Sequence, residues 1–239
     1  MCIRDRTYDN ERAMFHDTEN YASRLYGFNA TWAPPDFTFM GQKGYSFVDA
    51  FYIGYKLAGA AGVIAGPDGA VTGSNTRNTF GTRWHGVAGP VEFSLGGVWQ
   101  GGVFRPAATS TARGVSAYAI NATLGYRLPD PVLHSFAGIQ ADVYSGGDAA
   151  RRSGTIGTYT APFSPQTGYL DTTTYMNPSN LIGFAPLVRI TPCSSVSIQL
   201  KYPLFWRDSV RDPIYRSTGY YSFAQTFLSL IHISEPTRP

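Results

Sequence analysis

The chain has 239 residues and a formal net charge of +3; 43% are hydrophobic, 15% aromatic and only 15% charged. So few charges cover a soluble surface poorly, and so small a net charge, without a basic run, excludes nucleic acid as a partner. No apolar run approaches the 18 or so residues of a membrane helix, so any bilayer crossing has to be made by strands. The mean hydropathy of −0.15 does not argue against that, because alternate residues of a barrel strand are polar.

Residues 1–6 (MCIRDR) and 229–239 (SLIHISEPTRP) break the alternation of the interior and resemble translated adapter sequence. They are set aside as non-native, which leaves one domain over residues 7–228. Truncation at both ends is then expected, and the lack of a secretory signal carries no information. With Cys2 set aside, Cys193 stands alone, without a disulfide partner or a metal-ligand spacing.

Residues 7–21 are polar and charged and are expected to form a surface loop. Tyr26, Phe28, Ala30 and Trp32 then alternate with Leu25, Gly27, Asn29 and Thr31, a strand that Pro34 and Pro35 end. Residues 45–56 form a second strand of uncertain register. Phe47, Phe51, Ile53 and Tyr55 share a face with Asp49, so either a bulge or a set of inward aromatics is needed. Residues 57–76 are Gly-rich, with GPDG and TGSN, and are expected as a loop.

The central hairpin is the clearest unit. Phe80, Thr82 and Trp84 alternate with Arg77, Thr79, Gly81, Arg83 and His85; after a turn at Gly89 and Pro90, Val91, Phe93, Leu95, Gly97 and Trp99 alternate with Glu92, Ser94, Gly96 and Gln100. Residues 102–112 make another loop. Tyr118, Ile120, Ala122, Leu124 and Tyr126 mark the cleanest strand, and a short turn at residues 129–131 leads to its return over 133–145. Residues 146–179 form the longest loop. Strands over 180–191 and 196–202 flank a short turn, residues 208–217 are a loop, and a last strand starts at Tyr220.

Short turns and long loops alternate along the chain, which is the rhythm of up-and-down membrane barrels. The expected fold class is therefore all-β: an antiparallel up-and-down transmembrane β-barrel, incomplete, with about nine strands. A soluble β-sandwich binding module is the alternative, and it would hide the apolar faces under a second sheet. An open nine-stranded sheet leaves edges that lipid does not tolerate, so further strands are expected beyond these.

The segments SRLYGFNATWAP, VDAFYIGY, RNTFGTRWHG, FAGIQADVYSGGD and SNLIGFAPLVRITP resemble the alginate-export family of outer-membrane barrels, over most of residues 21–215. SGGD after an aromatic strand and the Asn-Leu restart after a long loop carry most of the likeness. The resemblance implies a barrel of eighteen strands, of which this chain would be the later half. It implies passive export of an anionic, alginate-like polysaccharide, through a lumen lined with basic residues. It also implies the outer membrane of a Gram-negative bacterium as location. Lipid, lipopolysaccharide and a periplasmic export partner are the surroundings it suggests. The chain departs from the family in lacking a final strand with its terminal aromatic.

If the apolar parity meets lipid, the other parity faces a channel. That places Arg77, Arg83, His85, Arg127, Arg189 and Lys201 inside as candidate anion-path residues, with Glu92, Asp142 and Asp49 beside them. At about 3.3 Å per residue and a tilt near 40°, Arg77 and Arg83 are roughly 15 Å apart along the axis. Arg83 is the leading candidate, because no acid lies beside it on its own strand. Guanidinium groups suit carboxylates, and several weak sites in series permit passage of a polysaccharide or a small anionic solute. Asp148, Arg151 and Arg152 either fold inward as a constriction or are solvated outer-loop charge, and the second is the preferred expectation. No catalytic, cofactor or metal residue is assigned, since no nucleophile elbow, phosphate loop or metal spacing occurs. A barrel enzyme of the outer membrane would need such a constellation.

Overall fold

The computed structural model describes residues 2–9, 18–108, 111–130, 132–162, 176–193 and 195–215. The described residues contain no helix. They build eleven strands: β1 (Cys2–Asp9), β2 (Thr18–Trp32), β3 (Phe37–Phe39), β4 (Gln42–Gly66), β5 (Gly69–Ala88), β6 (Val91–Pro106), β7 (Arg113–Arg127), β8 (Phe136–Tyr144), β9 (Leu181–Cys193), β10 (Val196–Lys201) and β11 (Leu204–Trp206). All belong to one antiparallel sheet in which spatial order follows chain order; β3 adds to the start of β4, and β11 pairs with β9 beyond β10. The expected all-β, up-and-down architecture is the one found. The sheet is not closed, as suits part of a larger barrel.

Several segments differ from the sequence reading; among them, residues 102–106, expected as loop, continue β6 and pair with β5. Residues 57–76 are mostly strand, not loop: β4 and β5 pair from Gly44–Ala88 up to Gly66–Gly69, with one irregularity between Leu57 and Gly62. Small residues alternate there without an apolar stripe, so the period-two signal is faint, yet Ile64 still lands inward on Phe104, Val115 and Ile156. The expected surface loop over residues 7–21 is likewise shortened, because β1 extends to Asp9 and β2 begins at Thr18. Residues 2–6, set aside as non-native, pair with Arg24 to Phe28 of β2. Residues 220–227 and 229–239 lie outside the described residues.

The register of β4 resolves towards the inward aromatics. Tyr55, Ile53, Phe51, Asp49 and Phe47 stand opposite Arg77, Thr79, Gly81, Arg83 and His85. Cross-strand neighbours share a face, so these apolar side chains point to the same side as the cations. Gly81 makes room: a Cβ there would come within 2.1 Å of the Phe51 ring.

The opposite face is apolar and uncovered. Phe28, Tyr52, Phe80 and Trp99 form a row of neighbouring rings across four strands, with centroids 5.8, 4.8 and 6.0 Å apart. Nearer the short turns, Trp84 packs edge-on against Phe93 at 4.7 Å. Leu95 and Leu124 stand across from Trp84 and Phe93, and Ile120, across from Gly97, lies between the two levels; all three are about half exposed. Among the described residues no second sheet covers this face, which is the opposite of what a sandwich requires. From Tyr118 to Tyr126 the band runs about 26 Å along β7, close to the height of a bilayer belt once tilted.

The buried residues cluster on the inner face, at the end with the long connections. Ala117, Ala119, Tyr144, Tyr159, Met176 and Leu181 form one cluster; Ile64, Phe104, Val115 and Ile156 form the other. Tyr159, Met176 and Ile156 come from the connection between β8 and β9. The described part of that connection around Ile156, Tyr159 and Met176 therefore folds inward.

Candidate functional site

All six candidate cations lie on the inner face, since their partners across the sheet do so too. The structure divides them into a covered and an open group.

Arg77 is covered. Its side chain is 1% exposed under the inward-folded connection. Nη1 donates to Gln100 Oε1 (2.6 Å) and to the Thr158 carbonyl (2.8 Å), and Nε donates to Asn75 Oδ1 (3.4 Å). Gln100, fully buried, donates from Nε2 to Thr79 Oγ1 and to the Thr160 carbonyl, both at 2.9 Å, and accepts from Thr160 N at 3.2 Å. A guanidinium sealed in this way holds the inner face together and is closed off from solvent.

The covering connection is clamped by the two motifs that carried the family likeness. In SGGD, Ser145 Oγ donates to the Gly157 carbonyl (2.7 Å), Gly146 N to Asp208 Oδ2 (2.8 Å) and Gly147 N to Asp212 Oδ2 (2.7 Å). Asp212 also accepts from Thr158 Oγ1 and from Tyr215 Oη. Burial pushes its carboxyl above the ordinary carboxylate range, against those three donors. At the Asn-Leu restart, Asn180 takes the left-handed conformation (φ 49°), which Asn tolerates better than most residues. Its Nδ2 donates to the carbonyls of Ser209, Asp212 and Pro213 (3.0, 2.8 and 3.0 Å), and its Oδ1 accepts from Ser209 N (2.7 Å). A Cβ on Gly146 would fall 2.0 Å from Asn180 Oδ1. Glycine there is thus a condition of the clamp. Burial also pushes the Tyr159 phenol up to about 12. The charged part of the loop stays outside: Arg151 and Arg152 are 67% and 78% exposed, and Arg152 pairs with Asp68.

The open group lies towards the short turns. Arg83 donates from Nε to Ser94 Oγ at 2.9 Å. Asp49 stands across from it on β4, but that carboxylate is engaged by Thr31 Oγ1 (2.6 Å) and His85 Nε2 (3.0 Å). His85 also lies against the Phe47 ring, 5.5 Å between centroids. Arg127 donates to Glu92 Oε1 (2.6 Å), and the Arg189 guanidinium approaches the same oxygen at 3.8 Å while lying over the Phe136 ring at 4.6 Å. Gly125 and Gly138 stand between Glu92 and Leu187 in the register, and the Phe136 ring lies over Gly125, where a Cβ would come within 1.9 Å of it. Lys201 shares the inner face opposite Leu187. Asp142, expected in the same lumen, is instead buried, accepting from Asn121 Nδ2 (2.7 Å) and Gln140 Nε2 (2.6 Å).

The open stretch thus holds four permanent cations, Arg83, Arg127, Arg189 and Lys201, against two carboxylates, Asp49 and Glu92. Among the described residues the permanent cations of this stretch outnumber its carboxylates by two. Sequence reasoning missed Gln100, Asn180 and Asp212 as determinants of this division. Only Asn180 had a local signal, its place at the restart of a strand.

No curated protein matches the chain. The family model described as alginate export matches residues 9–228, so both terminal segments set aside above fall outside the match. With nearly the whole described sheet inside that match, and the motifs SGGD and Asn-Leu explained as parts of one inward clamp, the chain belongs to the alginate-export family.

Proposed function

We propose that this chain forms part of an outer-membrane channel through which an anionic polysaccharide of the alginate type, or a small anionic solute, passes by diffusion. The observation that carries this reading is the pairing of an uncovered aromatic and aliphatic face with an opposite face that holds a surplus of cations on its open half. Acyl chains are the natural cover for the first, with lipopolysaccharide in the outer leaflet. A carboxylate-bearing chain is the natural solute for the second.

The mechanism needs no reaction. A uronate sheds part of its hydration on entering, and Arg83, Arg127 and Arg189 offer planar donors in its place. Arg127 and Arg189 already share Glu92, which weakens each as a site and keeps the polymer from being trapped. Arg83 is bonded to a neutral hydroxyl and is the strongest single site. Arg77, covered by Thr158, is left out of the path.

The test is reconstitution of the full-length protein in planar bilayers. A salt gradient should give a reversal potential of anion preference, and oligomers of a uronic acid should block the current in a concentration-dependent way. A cation-selective pore, or a folded protein that conducts nothing, overturns the reading.

A further inference from the structure

We propose that residues 157–161 are the constriction of this channel, and that Arg77 and Gln100 are positioning residues that set its width by holding this segment on the inner wall. The proposal rests on the channel reading above.

The segment is bonded along both of its edges. On one edge, Ser145 Oγ donates to the Gly157 carbonyl at 2.7 Å and Tyr159 N donates to the Ser145 carbonyl at 2.9 Å. On the other edge, among the described residues, wall side chains take the place of a strand. Arg77 bonds the Thr158 carbonyl, and Gln100 bonds both the N–H and the carbonyl of Thr160, as a neighbouring strand would. A backbone segment crossing a lumen needs partners for its polar groups, and these two side chains supply them from strands β5 and β6.

The wall beneath is shaped to receive it. Inward residues of β7 under the segment are Val115, Ala117 and Ala119, and Gly102 stands opposite Arg77. Such short side chains leave depth, which Tyr159 fills by packing on Ala117, Ala119 and Tyr144. From Ile156, bridged to Val115 on β7, the segment passes over β6 to reach Arg77 on β5. The segment therefore starts at the edge of β7, where Ile156 pairs by its backbone, and is held on the inner side of the wall by side chains that reach it from β6 and β5. A packed layer takes roughly 10 Å from the radius on that side, as the spacing of stacked sheets indicates. Anchoring by a buried guanidinium, and not by an apolar contact alone, fixes the position of the layer as well as its presence.

The test uses neutral probes, so that loss of the Arg77 charge cannot itself produce the effect. Arg77→Met and Gln100→Leu are introduced into the full-length protein, with Arg77→Lys as the milder change should Arg77→Met fail to insert. Polyethylene glycols of graded size report the exclusion limit in bilayers, and maleimide labelling of Thr160→Cys, with and without the wall substitutions, reports release of the segment. Release should speed labelling at least severalfold and raise the exclusion limit by something on the order of 5–10 Å, one layer at most. Faster labelling with an unchanged limit overturns the constriction. Unchanged labelling in variants that fold overturns the anchoring role of Arg77 and Gln100. A wild-type protein that folds, labels slowly at Thr160→Cys and never conducts overturns the channel reading, and the anchoring stands apart from that failure.

Discussion

The Nη1 of Arg77 donates to the carbonyl oxygen of Thr158 at 2.8 Å, across 81 positions of the chain. Six residues further along the same strand and on the same face, Arg83 is exposed and donates to Ser94 Oγ at 2.9 Å. One parity of one strand thus carries a guanidinium that fastens a loop and another that is open to a solute. The division comes from where the connection between β8 and β9 folds, and the consequences can be measured.

Arg83→Glu reverses a charge on the open wall. At roughly 8 Å from a passing ion in water, the reversal is worth about 1 kcal/mol. Anions lose and cations gain by this amount, so the ratio of anion to cation permeability should fall up to about thirtyfold at low salt, and less at high salt as screening grows. Reversal potentials at two ionic strengths check both parts. An unchanged ratio at low salt removes Arg83 from the path.

Ile120 lies on the outward face between the two aromatic rows, paired across from Gly97. A lysine there would sit near the bilayer midplane and should cost about 2–4 kcal/mol of folding into lipid vesicles, measured by urea titration. Thr123→Lys, three residues on and facing inward, should cost far less. Equal costs would mean that the outward face does not meet acyl chains.

Asp212 gives a pH dependence with a definite sign. Its carboxyl is raised above 3.8 chiefly by burial, so the protonated form is favoured in the folded clamp. The stability it contributes is fully present below its unfolded value and is lost as pH rises through the raised one. Protection of the Gly147 amide, which donates to Asp212, should therefore increase between pH 7 and pH 4. Asp212→Asn keeps the acceptor without the charge and should flatten that profile. Asp212→Ala strands the Gly147, Thr158 and Tyr215 donors and should cost about 2–3 kcal/mol of local protection at any pH. Protection that falls on acidification in the wild type contradicts this account.

Gly102 faces Arg77 in the register, and a Cβ there would meet the Thr76 backbone oxygen at 2.1 Å and the Arg77 Cα at 2.9 Å. Backbone cannot swing aside as a ring can. Gly102→Ala should cost about 1–3 kcal/mol in urea unfolding, and should loosen the Arg77 contact enough to raise protease cleavage near residue 158. Gly97→Ala, with nothing within 4 Å, is the control and should be neutral.

Much of the sheet was legible beforehand. In β2, β5, β6 and β7 the outward set of Phe28, Trp84, Trp99 and Tyr118 separates cleanly from the inward set of Asn29, Arg83, Ser94 and Asn121, because one face meets an apolar medium and the other a polar one. In β4 both parities carry aromatics, and the parity of Asp49 was the better guide. Phe51 could turn inward only because Gly81, on another strand, leaves the space. The hairpin of residues 57–76 was lost to composition, since glycine and alanine hide the period that pairing enforces.

What the chain order of residues determined by itself was the ribbon: strand, turn, strand, with a greasy side and a wet side, because that alternation is local and repeats every two residues. What only the tertiary structure decided was which wet-side cations are covered and which stay open. Gln100 and Arg77 reach backbone groups 60 and 81 positions away, and a carbonyl has the same chemistry in every residue. Nothing in the local pattern marks such a partner, and so the covering of Arg77, and the exposure of Arg83 beside it, came from the fold alone.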